Sequence, residues 1–379
     1  MPPKPPDQVP NDDRRPPAGP VSESPSAAEA GAREPVLIPA AVQRVDPDDL
    51  YPAQPSSEWV GGPGDNGGPT NSGWDDAPAP PIRPPGLRRV WIHVGLLLLT
   101  VLTTTWVGAD HYAAFLLDFR DRPLFMTVWQ LLVRGIWYSG TILAILGSHE
   151  LGHYFACRYY GIDASLPYFI PAPLPLTGTL GAFIRIRQPI VTKRMLFDIG
   201  VAGPFAGFLV ALPALFLGLS LSHVARVPAD MTGVELGEPL LFRAVSWLLF
   251  GSIPEGYSLN LHPMAFAAWF GLLATALNLF PIGQLDGGHV SYAVLGRRSS
   301  YVTLATLVVA VGLTFVSLSW IFWTAMMVVM LVVFGPHHPR TIDEQLPLDR
   351  SRRVLAVVAF AIFALCFTPA PIQPLDLIK

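Results

Sequence analysis

Apolar residues in this chain come in long unbroken runs, with little of the short alternation that a soluble fold shows. A helix needs about 20 such residues to cross a hydrocarbon core of about 30 Å. Runs of that kind occupy 90–108, 137–160, 195–221, 263–296, 301–318, 319–335 and 353–370. The fourth is too long for one span and is interrupted. Pro281 removes a helix donor there, and Gly283, Gly287 and Gly288 favour irregular backbone. Residues 301–335 read as two helices with a tight turn near Ser317 to Ser319. The pattern predicts an all-α polytopic membrane protein with about six or seven transmembrane helices. One stretch departs from it. GTLGAFIRIR (178–187) alternates with a period of two, which predicts a short strand or hairpin in a membrane-associated strand region. It reads equally as an edge that pairs with an extended peptide or as an amphipathic loop.

Composition sharpens the division. The chain has 379 residues, 51% hydrophobic and 14% charged, with mean hydropathy +0.41; soluble domains usually carry about a quarter charged residues. Residues 1–89 hold more than half of the 40 prolines in stretches such as PPKPP and GGPGDNGGPT. They lack an apolar period and are expected to be a disordered tail. Residues 90–370 then form the membrane domain, with a core at 137–300, and 371–379 a C-terminal tail. The tail has no apolar stretch of signal-peptide type, and its many aspartates argue against an organelle transit peptide. Cys157 and Cys366 both sit in apolar segments, so no disulfide framework is expected. A net charge of −3 gives no footing for nucleic acid.

Lys and Arg fall in alternate loops: Arg88 and Arg89, then Arg185 to Arg194, then Arg297 and Arg298, then Arg340 to Arg353. The intervening loops, 109–124 and 222–262, carry more acids than bases. By the positive-inside rule the N-terminus and the basic loops face the cytoplasm. The expected location is the cytoplasmic membrane of a bacterium.

Residues 149–153 read His-Glu-Leu-Gly-His, midway along the second apolar run. Positions i and i+4 of a helix share a face, so two imidazoles can reach one metal, and the Glu can move a proton for a metal-bound water. The plainer reading is a helix end whose polar groups snorkel to water. Against it, two His and a Glu near mid-membrane are costly unless paired or functional. A catalytic zinc takes three protein ligands. Cys157 lies two further turns along, about 12 Å away, too far to share the ion. Asp286, inside the broken fourth run, stands at a similar distance from the basic loop as His149 does, and both segments run the same way. His289 is an alternative third ligand and helix capping an alternative role for Asp286. Asn278 reads as a helix–helix hydrogen bond or as a group facing substrate.

With these residues assembled, the sequence resembles the site-2 protease family of intramembrane zinc metalloproteases. That family's paired signatures stand here as HELGH (149–153) and NLFPIGQLDGG (278–288), with FDIGVAGPFAGF (197–208) resembling its Gly-Pro third core helix and 167–189 its strand region. The resemblance implies one zinc on His149, His153 and Asp286, Glu150 as the acid/base, and Asn278 near substrate or oxyanion. It also implies a partner: a membrane protein cut in or near a transmembrane helix. The loop 222–262 is too short for the PDZ domain of regulatory members, so the compact branch of bacteria and plastids is the nearer likeness. Two other classes compete. A multi-span zinc transporter fits the polar groups at depth, although no internal repeat is present. A membrane metalloprotease with a Glu as third ligand would need Glu235, Glu238, Glu255 or Glu344, and all four lie in loops.

Overall fold

The computed structural model describes residues 87–120, 123–228, 234–335 and 341–374. All but the last three residues of the expected N-terminal tail lie outside them, as do His337 and His338, whose FGPHHPR stretch reads as an exposed cytoplasmic loop more than as a metal site. The described chain is mainly helical. α1 (Leu87–Leu117), α2 (Val128–Tyr159) and α3 (Lys193–Ser220) are followed by the short α4 (Leu240–Phe250), and α5 (Pro263–Asn278) and α6 (Asp286–Leu295) flank the interruption. α7 (Ser299–Leu313), α8 (Ser319–Phe334) and α9 (Arg350–Cys366) complete the set. Six short strands make three two-stranded antiparallel ribbons.

Length and apolarity alone mark four membrane-crossing runs, the last of them Asp286–Leu313. That run does not go straight. Thr303 Oγ1 donates to the Pro281 carbonyl at 3.1 Å, although 22 residues of straight helix would separate the two by about 33 Å. The chain therefore reverses at the 3₁₀ turn Gly296–Arg298, where Gly296 has φ +58°. α5 and α6 together make one broken crossing, and α7 returns.

α1 and α2 are longer than their apolar runs. α2 begins two turns early because Thr127 and Gln130 form a capping box: Thr127 N–H donates to Gln130 Oε1 at 2.9 Å and Gln130 N–H to Thr127 Oγ1 at 3.3 Å. α1 runs on to Leu117, and the chain breaks at Asp118 and Phe119, both at positive φ. Close approach of α1 to α2 depends on Gly108 and Gly135, since a Cβ on Gly108 would sit 2.3 Å from the Gly135 carbonyl oxygen. α2, α3 and α5 enclose the main core, with Tyr138, Ile142, Phe197, Leu215, Trp269 and Leu272 fully buried.

The strand region is a hairpin of β1 (Tyr168–Pro171) and β2 (Thr179–Phe183), with Tyr168 opposite Phe183. It runs beside α1. His93 Nδ1 pairs with the Pro167 carbonyl at 3.1 Å, and His111 Nε2 with the Leu176 carbonyl at 3.0 Å. Eighteen residues of helix, about 27 Å, separate those two histidines. The segment 167–176 thus travels through most of the bilayer's depth. Backbone at that depth must be satisfied internally. Gly178 N–H donates to Leu174 O at 3.0 Å, Thr179 Oγ1 to Ile170 O at 2.8 Å, and Tyr138 O–H to Thr177 O at 2.9 Å.

At the opposite end from the basic loops, β3 (His223–Arg226) pairs with β5 (Tyr257–Asn260), and β4 (Val234–Leu236) with β6 (Ile372–Pro374). Asn260 Nδ2 ties the first ribbon to α1 through Phe115 O at 2.7 Å and Asp118 Oδ1 at 2.8 Å.

Candidate metal centre

His149, Glu150 and His153 lie on one buried stretch of α2, each less than a tenth exposed. Asp286 is the first residue of α6 and reaches them from across α3. The link 279–285 turns sharply, with Gly283 at φ +53° and Ile282 N–H donating back to Phe280 O at 2.8 Å. The first turn of α6 packs onto this link so closely that a Cβ on Gly287 would fall 2.0 Å from the Leu279 carbonyl oxygen, and one on Gly288 2.2 Å from that of Gly283. The two glycines after Asp286 therefore let the carboxylate be carried in on a tightly folded bend.

The three side chains converge. His149 Nε2 and His153 Nε2 are 3.1 Å apart, and Asp286 Oδ2 lies 3.2 Å from the first and 3.3 Å from the second. A tetrahedral ion with bonds of about 2.0–2.1 Å spaces its donors by about 3.3 Å. Two imidazole nitrogens and a carboxylate oxygen at this spacing suit zinc in donor type and in size. Among the described residues this is the one group of three or more such donors.

Neighbouring groups fix the orientation. His153 Nδ1 donates to the Ile199 carbonyl at 2.7 Å, which leaves Nε2 unprotonated and facing the cluster. Beneath the rings lies α3 with no side chain in the way. A Cβ on Gly203 would sit 2.1 Å from His153 Nε2, and one on Gly207 would sit 3.2 Å from His149 Cβ. Glycines four residues apart share a helix face and allow close packing, and the antiparallel register sets Gly203 under His153 and Gly207 under His149. The backbone N–H of Ile184, just past β2, faces the Glu150 carboxylate, so the strand region reaches the cluster. Asn278, the last residue of α5, places Nδ2 3.3 Å from His149 Nε2.

Other residues singled out in the sequence lie elsewhere. His289 sits one turn along α6 with its Cβ against Gly200. Cys157 is buried among Ile162, Ala164 and Ile199. Glu235 is paired in β4, far along the chain's opposite-end ribbons, and Glu238, Glu255 and Glu344 are also absent from the donor group. Sequence reasoning gave no hint of a polar knot that joins α9 to the other helices. Arg352 donates to Asp198 Oδ1 at 2.8 Å and to Asp349 Oδ1 at 2.7 Å, and Tyr160 donates to the same Asp198. Asp198 directly precedes Ile199, whose carbonyl holds His153.

Residues 137–319 match the sequence profile of peptidase family M50. This segment belongs to that family. The M50 match spans both metal-facing helices and the bend between α5 and α6. Similar curated proteins agree with it. The protein named Probable zinc metalloprotease EGY2, chloroplastic, of Oryza sativa subsp. indica is 31% identical over 262 residues, covering 65% of this chain and 45% of its own length. Its namesake in Arabidopsis thaliana is 31% identical over 232 residues, 59% of this chain and 40% of that one. Probable zinc metalloprotease EGY1, chloroplastic, of Arabidopsis thaliana is 34% identical over 167 residues, 42% and 29% respectively. The chain thus spans less than half the length of these relatives. No solved structure matches.

Proposed function

We propose that this M50 protein is an intramembrane zinc endopeptidase that hydrolyses peptide bonds in or near transmembrane segments of other membrane proteins. The observation that carries the reading is the triangle of His149, His153 and Asp286 donor atoms, 3.1–3.3 Å on each side, with the buried Glu150 beside it. We assign one zinc to that triangle. When bound, zinc supplies Lewis acidity that makes water a nucleophile near neutral pH and polarises a carbonyl.

The chain's own residues do the rest. Glu150, with the Ile184 N–H facing its carboxylate, takes a proton from the attacking water and gives it to the leaving amine nitrogen. His153 is kept in one tautomer by Ile199 O. Asn278 Nδ2 now rests against the His149 lone pair that a metal takes. With that lone pair engaged, the amide is free to donate to the substrate's carbonyl oxygen. Helical peptide bonds are shielded by their own hydrogen bonds, so the substrate must unwind, which favours segments with Gly, Pro, Asn or Ser. The β2 edge beside Ile184 offers an extended peptide its pairing groups. By the positive-inside rule, the basic ends of the helices and the N-terminus face the cytoplasm of a bacterium.

Glu150→Gln tests this. The amide keeps the size but accepts no proton near neutral pH, and no metal donor is touched. Zinc content by metal analysis should stay near one per chain, while cleavage of a single-span helix containing Gly or Pro should fall by about a hundredfold or more. Zinc flux into dye-loaded vesicles without cleavage in either form would point to a transporter and sink the protease reading.

A further inference from the structure

Apart from the metal donors, a groove of about 690 Å³ opens between α6, α7 and α9, lined by residues such as Val290, Val294, Val302, Ala305, Ala359 and Phe363. We infer that this groove is a binding site for one anionic phospholipid, whose acyl chain lies in the groove and whose headgroup rests on Arg297 and Arg298.

Three observations carry this. The first is the lining. Of the hydroxyls lining the groove, Ser291 donates to Gly288 O at 3.1 Å and Thr306 to Val302 O at 2.8 Å, and Tyr301 is exposed. The Pro281 carbonyl is taken by Thr303. An unwound peptide needs partners for its whole backbone at membrane depth and would find few here; a hydrocarbon chain needs none. The second is size. Along α7 the groove runs from Tyr301 to Val309 and along α9 from Ala356 to Phe367, about 12 and 16 Å at helical rise. Half of a hydrocarbon core is about 15 Å, so the groove is one leaflet deep.

The third is charge. The groove ends at Leu295, one residue before the turn Gly296–Arg298 that closes α6 against α7. Arg297 and Arg298 project from that turn and are exposed. Exposed Arg353 stands on α9 three residues before Ala356 and seven before Phe360, on the same helical face. Guanidinium groups at the headgroup level above an acyl slot select a phosphate carrying net negative charge over a zwitterion. The site is separate from Arg352, which is spent on Asp198 and Asp349. Its floor includes Gly287 and Pro281, so a bound chain touches the bend that presents Asp286.

The full chain, reconstituted in phosphatidylcholine vesicles with a minor share of phosphatidylglycerol, is transferred to detergent and its retained lipid is weighed by native mass spectrometry. The wild type should keep one phosphatidylglycerol, enriched roughly tenfold over its share of the vesicle. Arg297→Gln with Arg298→Gln should lower that enrichment to the bulk ratio. Ala305→Phe, which fills the slot, should lose retained lipid of either headgroup. Zinc content reports folding of each variant, and the exposed arginine pair, which makes no core contact, keeps the test decisive should Ala305→Phe fail to fold. A photo-crosslinker at position 305 should capture phospholipid. Equal retention of both lipids by the wild type, or a crosslink into a substrate helix, would overturn the assignment. Neither result depends on whether the protein cleaves peptides.

Discussion

Gly203 shows what a single missing methyl group does here. The position where its Cβ would be built lies 2.1 Å from His153 Nε2, far inside contact distance, and the neighbouring backbone of α2 and α3 is too closely packed to yield. Gly203→Ala should weaken zinc binding by at least about tenfold in a chelator competition, and should alter the visible spectrum of a cobalt-substituted protein. Alanine is the better helix former by about 1 kcal/mol, so the loss would not come from unravelling α3. Gly207→Ala, with contacts of 3.2–3.4 Å, should do much less. Equal zinc affinity in wild type and Gly203→Ala would show that the imidazole can move aside. Sequence made the donors visible because H-E-x-x-H and L-D-G are short, local patterns of uncommon residue types. It could not show what Gly203 and Gly207 pack against, because a four-residue glycine spacing looks the same whether it faces a backbone or a ring. It could not display the Ile199 carbonyl and the Ile184 N–H at all, since every residue has them.

Among the elements, the re-entrant hairpin departs furthest from what an apolar pattern can express. The period-two stretch announced a strand, and β2 lies within it, but nothing announced that the turn region would be carried beside α1 almost across the bilayer. The reason lies in His93, His111 and Tyr138, which are scattered polar residues in apolar helices and become intelligible only with their carbonyl partners. Polar residues, Asp110 and His111 after the first run and Gln130 and Arg134 before the second, hid the true ends of α1 and α2. If these bonds hold the hairpin, His111→Leu combined with Tyr138→Phe should expose its tip. A cysteine placed at Thr177 should then react with a membrane-permeant maleimide about tenfold faster or more, in line with two lost hydrogen bonds of about 1 kcal/mol each. Zinc content should be unchanged. No change in labelling would mean that packing against α1 suffices.

At the scale of the whole molecule, seven apolar runs read from sequence fold into an α-helical membrane bundle in which α5 and α6 share one crossing. The reversal at Gly296–Arg298 was legible because two arginines interrupt the run; the ribbon of β4 with β6 was not, because three-residue strands have no period to detect. All three candidate donors come from residues 149–286, so the first 85 residues should be dispensable. A chain begun near Leu87 should bind zinc as the full chain does, measured by metal analysis after purification; loss of zinc would make the tail part of the fold. The distance between the donors along the chain has a further effect, on timing. His149 and His153 leave the ribosome more than a hundred residues before Asp286. At 5–20 residues per second the interval is on the order of ten seconds. Throughout it the chain already carries the two histidines and Glu150 within a membrane crowded with other emerging helices, yet lacks the carboxylate that completes the triangle. A chain ended after α5 should accordingly hold zinc poorly and cut nothing, so the proposed activity would wait until the last donor is threaded.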